Sequence, residues 1–254
     1  MHRFYYALLL VALLAGCSQE ALMEKFSSPE DRALAKGYID LLRAHKFDDI
    51  ENALDGSIKS PTAMSTLIGM ADLIPNGEPT AIKIVGAQSF RENAMSRVNT
   101  TFEYTFGDKW VVINVAVLSS DGKKTIVGFN VYPRSQSLED QNRFSLIGKS
   151  GPQYVALMAT AVAALLSLYA LVLCIRTKLT GRKWVWIIFI ALGFGRFAIN
   201  WSTGQWNFAP LTVQLFSASA FAPFYGPWTI SFSLPIGAIA FLLRRTQLTR
   251  PTVS

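Results

Sequence analysis

Few side chains in this sequence combine a type and a spacing that could do chemistry. The 254 residues include two histidines and two cysteines, and these do not have the spacing of a metal site. A glycine-rich phosphate loop and a nucleophile elbow are also missing from the sequence. The remaining acid–base candidates are His45, Glu103, Tyr104 and Tyr132. Because His45 lies beside Arg43 at a helix junction, we expect a solvated surface residue. We predict no metal, no cofactor and no catalytic constellation.

Cys17 has the most specific surroundings of any residue. It follows a short basic start, an apolar run from Phe4 to Leu14, and the small residues Ala15 and Gly16. The apolar run is too short to cross a bilayer of about 30 Å as a helix, but it has the length of a signal-peptide core. The sequence Leu-Ala-Gly-Cys resembles the lipobox of bacterial lipoproteins. This resemblance implies cleavage between Gly16 and Cys17, a diacylated Cys17 thiol, and a lipidated tether over residues 17–27.

The patterning of residues 28–150 predicts an α+β domain. Ser28-Pro29-Glu30-Asp31 combines an N-cap, a proline at the first helical position and acids in the first turn, and therefore predicts a helix start. Apolar residues spaced by three and four predict three helices before Pro75. After Pro79 the apolar period changes to two, which predicts a four-stranded antiparallel meander with the helices packed on one face. On the second strand Phe102 and Tyr104 share a face.

This order of elements resembles the nuclear-transport-factor-2-like (cystatin-like cone) superfamily. The segments Gly107-Asp108-Lys109-Trp110 and Val127 to Val131 also resemble a group of bacterial lipoproteins of uncharacterised function. The resemblance implies a cone-like sheet that can leave a ligand pocket at its wide end. We assign Tyr104, Phe102 and Tyr132 to this pocket, with the hydroxyl of Tyr104 reaching the rim.

Residues 151–254 predict a membrane domain. They contain eight basic residues and no aspartate or glutamate, and their apolar runs predict an all-α domain of about three spans. The spans are expected at 154–175, 184–201 and 223–243, with an interfacial segment at 209–222. Basic residues flank the spans on one side, so the C-terminus is predicted to be cytoplasmic.

Two features of these spans could serve a function. Arg196 is the one ionisable residue inside a predicted span, which makes it a functional candidate by default. Snorkelling of its side chain to the outer interface is the alternative. The first span has two adjacent ridges of small residues, Ala156, Thr160 and Ala164 on one and Ala159, Ala163 and Ser167 on the other. Such ridges would permit close helix packing, within the chain or with another membrane protein.

Together these patterns indicate a protein of the bacterial inner membrane, with residues 18–150 extracytoplasmic. We expect a non-enzymatic envelope lipoprotein that binds a partner protein or a small apolar ligand. The alternatives are an accessory subunit of a membrane complex that acts through its spans, and a cone-fold lyase or isomerase. The expected partners are membrane lipids and a membrane protein. Nucleic acid is excluded because residues 18–150 carry slightly more acidic than basic residues.

Overall fold

The computed structural model describes residues 27–92, 95–120, 122–179 and 181–248. The chain divides into two compact units, and the boundary lies between Asp140 and Gln141. The predicted signal peptide, the tether up to residue 26, and with them Gly16 and Cys17, lie outside the described residues.

The first unit begins with the predicted helix. Helix α1 spans Pro29–Arg43, and Ser28 is its N-cap. The Ser28 hydroxyl accepts the backbone N–H of Asp31 at 3.0 Å, which satisfies one of the free donors at the helix start. Glu30 and Asp31 lie in the first turn, where negative charge is favourable because of the helix dipole. This start was correctly predicted from the sequence.

Two shorter helices and a sheet complete most of the first unit. Helices α2 and α3 span Phe47–Ala53 and Ala63–Asp72. The strands are β1 (Ala81–Glu92), β2 (Met95–Phe106), β3 (Lys109–Ser120) and β4 (Lys123–Arg134). They pair in sequence order, and every neighbouring pair is antiparallel. The predicted α+β class with a four-stranded antiparallel sheet is therefore confirmed. A short helix, α4 (Leu138–Asn142), follows.

The helices cover one face of this sheet, which we call the inner face; the opposite side is the outer face. The core between the helices and the inner face contains buried apolar side chains from all three helices and from β2, β3 and β4. Its fully or almost fully buried members include Ile39, Leu42, Ile50, Leu67, Phe102, Tyr104, Ile113 and Ile126. Each large apolar side chain buried in this way contributes roughly 1.5–3 kcal/mol to folding.

The end of α2 is hydrogen-bonded to β4. The backbone N–H of Asp55 donates to the carbonyl of Ile126 at 2.8 Å. The Asp55 carboxylate accepts the backbone N–H and the hydroxyl of Ser57, and also the hydroxyl of Thr125. These hydrogen bonds, with those of Ser57 the strongest, hold the pKa of the Asp55 carboxyl below its usual value. The helical layer is thus attached to the edge strand of the sheet.

The second unit is not the all-α domain that the sequence predicted. Its long helix α5 (Gly151–Arg176) contains the predicted first span. Helices α6 (Lys183–Ala191) and α7 (Ile236–Leu248) are shorter. The strands between them are β5 (Leu192–Asn200), β6 (Trp206–Leu215), β7 (Ala218–Phe221) and β8 (Thr229–Leu234). They form an antiparallel sheet in the order β6-β5-β8-β7.

The predictions of further spans were therefore wrong in their secondary structure. The segment 184–201 is helical only to Ala191 and continues as β5, while 209–222 contains strand residues of β6 and β7. The segment 223–243 contains β8 before α7 begins. A short, continuously apolar run does not distinguish a buried strand from a helix. In β5 and β8, aromatic and β-branched residues alternate with small ones, a pattern that favours strands.

Helix α5 is, among the described residues, the one helix long and apolar enough to cross a membrane by length and composition. Only 28% of its most apolar stretch is buried. Val155, Met158 and Leu165 are each 65–68% exposed. A soluble domain seldom leaves so many neighbouring apolar side chains uncovered, and such a surface is typical of a site that contacts a membrane or another protein.

The small-residue ridge of α5 is used inside the second unit. Ala163 and Ser167 are buried, and the ridge continues through the fully buried Ala170 and Cys174. Ala170 and Cys174 pack against α6 and α7, and the Ser167 hydroxyl donates to that of Ser217 at 3.2 Å. At Ala163 and Ser167 this ridge is thus covered by the chain itself, whereas Ala156, Ala159, Thr160 and Ala164 are partly exposed.

Candidate functional site

The three residues assigned to the pocket lie on opposite faces of the first sheet. Phe102 and Tyr104 are on the inner face, 3% and 0% exposed, and belong to the core. Tyr132 follows the core residue Val131 on β4, so strand alternation places it on the outer face, where it is 47% exposed. The structure brings Phe102 and Tyr104 together, with ring centroids 6.4 Å apart, but it does not bring Tyr132 to them.

The hydroxyl of Tyr104 does not reach a rim. It is buried and has no hydrogen-bond partner among the described residues. Burial raises the pKa of this hydroxyl; the Asp40 carboxylate adds to the effect and the Arg43 guanidinium opposes it. A phenol in this setting stays protonated and inaccessible to substrate. Tyr104 is therefore a core aromatic residue.

The other two acid–base candidates, His45 and Glu103, lie in surroundings that indicate structural roles. His45 is exposed in the turn between α1 and α2, where its φ is +54° and its ring meets Phe47 edge-on at 5.5 Å. Glu103 lies on the outer face and is only 3% exposed. Its carboxylate accepts the backbone N–H of Leu138 at 2.6 Å. Glu103 thus fixes the segment that begins α4 against the sheet.

A cavity of about 430 Å³ lies on the outer face, at the end of the β1–β2 hairpin where β1 finishes and β2 begins. We call it the sheet groove. Its lining residues are Gln88, Phe90 and Glu92 from β1, Met95, Arg97 and Asn99 from β2, and Leu118 from β3. Its volume lies within the range of small-molecule sites in proteins.

The pairing register explains why these side chains meet. Residues opposite each other on neighbouring strands project from the same face. Phe90 pairs with Arg97, which pairs with Leu118 on the next strand. In the adjacent row Gln88 pairs with Asn99. In the row nearest the hairpin turn Glu92 pairs with Met95. The groove therefore has one row with a cation between apolar side chains, one row of amides, and one row that holds a carboxylate beside a methionine.

Hydrogen bonds orient Asn99 in the amide row. The Asn114 side-chain amide donates to Oδ1 of Asn99 at 2.5 Å and to the Thr101 hydroxyl at 2.8 Å. Because its oxygen already accepts this bond, Asn99 has its NH₂ group left to donate to a ligand. A side chain held by its neighbours binds with a smaller entropy cost than a free one.

The groove can contact an apolar group and a polar or anionic group of one ligand. Phe90 is 77% and Met95 46% exposed, and together with Leu118 they offer apolar contact. Arg97 supplies a permanent positive charge with several N–H donors, which suits a carboxylate, sulfonate or phosphate. The arrangement therefore fits an amphipathic ligand that carries an anionic or hydrogen-bonding head.

Arg196, the candidate in the second unit, lies on strand β5 and not in a helical span. It pairs with Ser233 on β8 and Ala209 on β6, and its Nε is buried without a hydrogen-bond partner among the described residues. Nearby Gln214 donates to the Ser231 hydroxyl at 2.9 Å and accepts that of Ser233 at 2.6 Å. These hydroxyl and amide groups thus satisfy one another.

The sequence interpretation missed every residue of the sheet groove. The available signal was that Gln88 and Phe90, and likewise Arg97 and Asn99, are two residues apart and so share a face of their strand. Which of these side chains meet across the strands depends on the pairing register. Among the described residues no group of histidine, cysteine and carboxylate side chains could hold a metal ion. Comparison with known proteins finds no matching family, no matching curated protein and no matching solved structure.

Proposed function

We propose that this chain is a membrane-anchored binding protein that holds an amphipathic ligand in the sheet groove. The observation that carries the proposal is the groove itself, in which Arg97 and the amide row lie beside exposed Phe90 and Met95. Helix α5, with its uncovered apolar surface, is the membrane anchor of the second unit. No catalytic step is part of the proposal.

The proposal includes the lipid anchor, the membrane location and the domain type predicted from the sequence. Diacylation of Cys17 would supply a second anchor, since a single lipid chain binds a membrane only marginally. Residues 18–150 would face the extracytoplasmic side of the bacterial inner membrane, with a cone-like domain related to the nuclear-transport-factor-2-like superfamily. Since the inner face is filled by core residues such as Tyr104, the ligand site lies on the outer face of that domain. A partner protein that presents an apolar and an acidic side chain could use the same groove.

Binding of 1-anilinonaphthalene-8-sulfonate tests the groove, because this probe combines apolar rings with one anionic group. The full chain would be embedded in phosphatidylcholine nanodiscs, and the fluorescence of empty nanodiscs subtracted. We expect saturable binding that Arg97→Ala weakens about tenfold, since a hydrogen bond to a charged group contributes about 1.5–3 kcal/mol. Phe90→Ala should weaken it as well.

Arg91→Ala is the matched control for this titration. Arg91 is also exposed near the end of β1, but it pairs with Ser96 and does not line the groove. Binding should be unchanged in this variant. Equal loss in Arg91→Ala and Arg97→Ala would show a general charge effect, and no saturable binding at all would reject the groove as a site for such ligands.

A further inference from the structure

The second unit is strongly basic. From Gln141 to the last residue the sequence has no aspartate or glutamate, so its cations have no carboxylate side chain within the unit. Six of them occur around the helix ends, as Arg176, Lys178, Arg182, Lys183, Arg244 and Arg245.

Helix packing brings these six residues to one end of the unit. The chain turns between α5 and α6, and Lys183 Nζ donates to the carbonyl of Ile175 at 2.9 Å. Helix α7 runs antiparallel to α6, because Gly237 lies against Phe189 and the Phe241 ring lies 5.8 Å from that of Trp186. The end of α7, with Arg244 and Arg245, is therefore beside the start of α6. We call this set of six cations the basic end.

Helix dipoles neutralise only a small part of this charge. The C-terminus of a helix carries roughly half a negative charge and its N-terminus roughly half a positive one. The ends of α5 and α7 and the start of α6 all lie here, so their effects partly cancel. Lys183 already occupies one of the free carbonyls of α5. Most of the positive charge of the six residues therefore remains, and all of them but Lys183 are exposed.

Apolar side chains surround the basic end and identify the kind of anion that fits. Ile175 is 56%, Trp184 59% and Leu243 76% exposed. An acidic protein or a nucleic acid would bring a hydrated polar surface to these side chains. A lipid offers a phosphate at the level of the cations and hydrocarbon at the level of the apolar residues.

We propose that the basic end binds the phosphodiester headgroups of anionic phospholipids. This inference rests on the membrane anchoring in the proposed function, but not on the sheet groove. Lipids with a net negative charge, such as phosphatidylglycerol, are selected over zwitterionic phosphatidylcholine because the latter's choline offsets its phosphate.

Lipid retention measures this selection directly. The full chain is embedded in an equimolar mixture of phosphatidylglycerol and phosphatidylcholine, extracted gently in detergent, and its retained lipids are counted by mass spectrometry. We expect about fivefold or greater enrichment of phosphatidylglycerol, and a ratio near one for the double variant Arg176→Gln with Arg182→Gln. The matched control, Arg143→Gln with Lys149→Gln, removes two cations that precede α5 and should keep the enrichment.

The proposal would be overturned by a ratio near one for the native chain or by enrichment that the double variant retains. Full displacement by inorganic phosphate would overturn it too, since it would indicate a free-phosphate site. If the double variant does not fold, the native chain is compared at about 0.05 M and 0.5 M salt. At the higher concentration, screening of the cations should abolish the enrichment. Persistence at high salt would also count against it. If the chain does not enter the lipid bilayer, both the membrane anchoring and the headgroup site are overturned. If only probe binding in the sheet groove is lost, the lipid result stands.

Discussion

Phe102→Ala is expected to lower the free energy of unfolding of the first unit by about 3–5 kcal/mol, since a buried aromatic residue is replaced by a cavity. The side chain is 3% exposed and packs among the core residues of the inner face, edge-on to Tyr104. Neither the helices nor the sheet can close the space without losing other contacts. A loss of this size is a large part of the stability of an ordinary domain.

Hydrogen exchange followed by mass spectrometry is the suitable measurement, because it reports the amides of β2 and β3 separately from those of the second unit. Phe90→Ala makes the same substitution on the outer face of the same sheet, where the ring is 77% exposed. We expect this control to change the stability by no more than about 0.5 kcal/mol. Equal losses in the two variants would contradict the assignment of Phe102 to the core.

Gly237→Ala is expected to destabilise the second unit by about 3 kcal/mol, the upper part of the usual range for overpacking. A Cβ at this position would lie 1.8 Å from the carbonyl oxygen of Phe189. Backbone atoms cannot rotate away as a flexible side chain can, so α6 and α7 must separate. Ala238 and Phe241, both fully buried on α7, would lose their packing.

Cys174 provides the measurement for this second variant. Its thiol is fully buried in the cluster between α5, α6 and α7, and it should react with a small maleimide only when the helices separate. During heating, peptide-level mass spectrometry should detect Cys174 modification at a lower temperature in Gly237→Ala than in the native chain. Gly69→Ala is the matched control, since that helical glycine has open space around it. Unchanged Cys174 reactivity would refute the close approach of the two helices.

The fold of the first unit could be predicted because its signals are local. Ser28 and Pro29 define the start of α1 within one turn of the chain. A glycine with φ of +62°, Gly107, marks the tight turn between β2 and β3. Alternation then assigns Phe102 and Tyr104 to the inner face. The same alternation predicts Val127 on the inner face with Phe129 and Val131, and here it is wrong. A bulge beside Ala116 shifts the register, so that Ile126 is fully buried and Val127 only partly.

The second unit could not be predicted in the same way, because its apolar segments have no polar side to reveal a period. Phe197 on β5 stacks on Phe232 of β8 with ring centroids 5.2 Å apart, and such a pair forms only after the strands have met. The candidate site shares this difficulty. Arg97 and Leu118 are neighbours because β2 and β3 pair, not because of their spacing in the sequence. The set of residues that lines the sheet groove therefore depends on the pairing register.

In the proposed arrangement the second unit anchors the chain in the membrane, while the first unit, with the sheet groove, lies on the extracytoplasmic side. The most direct test is the accessibility of two introduced cysteines in intact spheroplasts. One replaces the exposed Ser89, beside the sheet groove, and the other replaces Lys178 at the basic end; both are placed in a Cys174→Ala background. A membrane-impermeant maleimide should label the cysteine at Ser89 at once. It should label the cysteine at Lys178 only after the membrane is opened. Labelling at both positions in intact spheroplasts, or at the Lys178 position alone, would contradict the account.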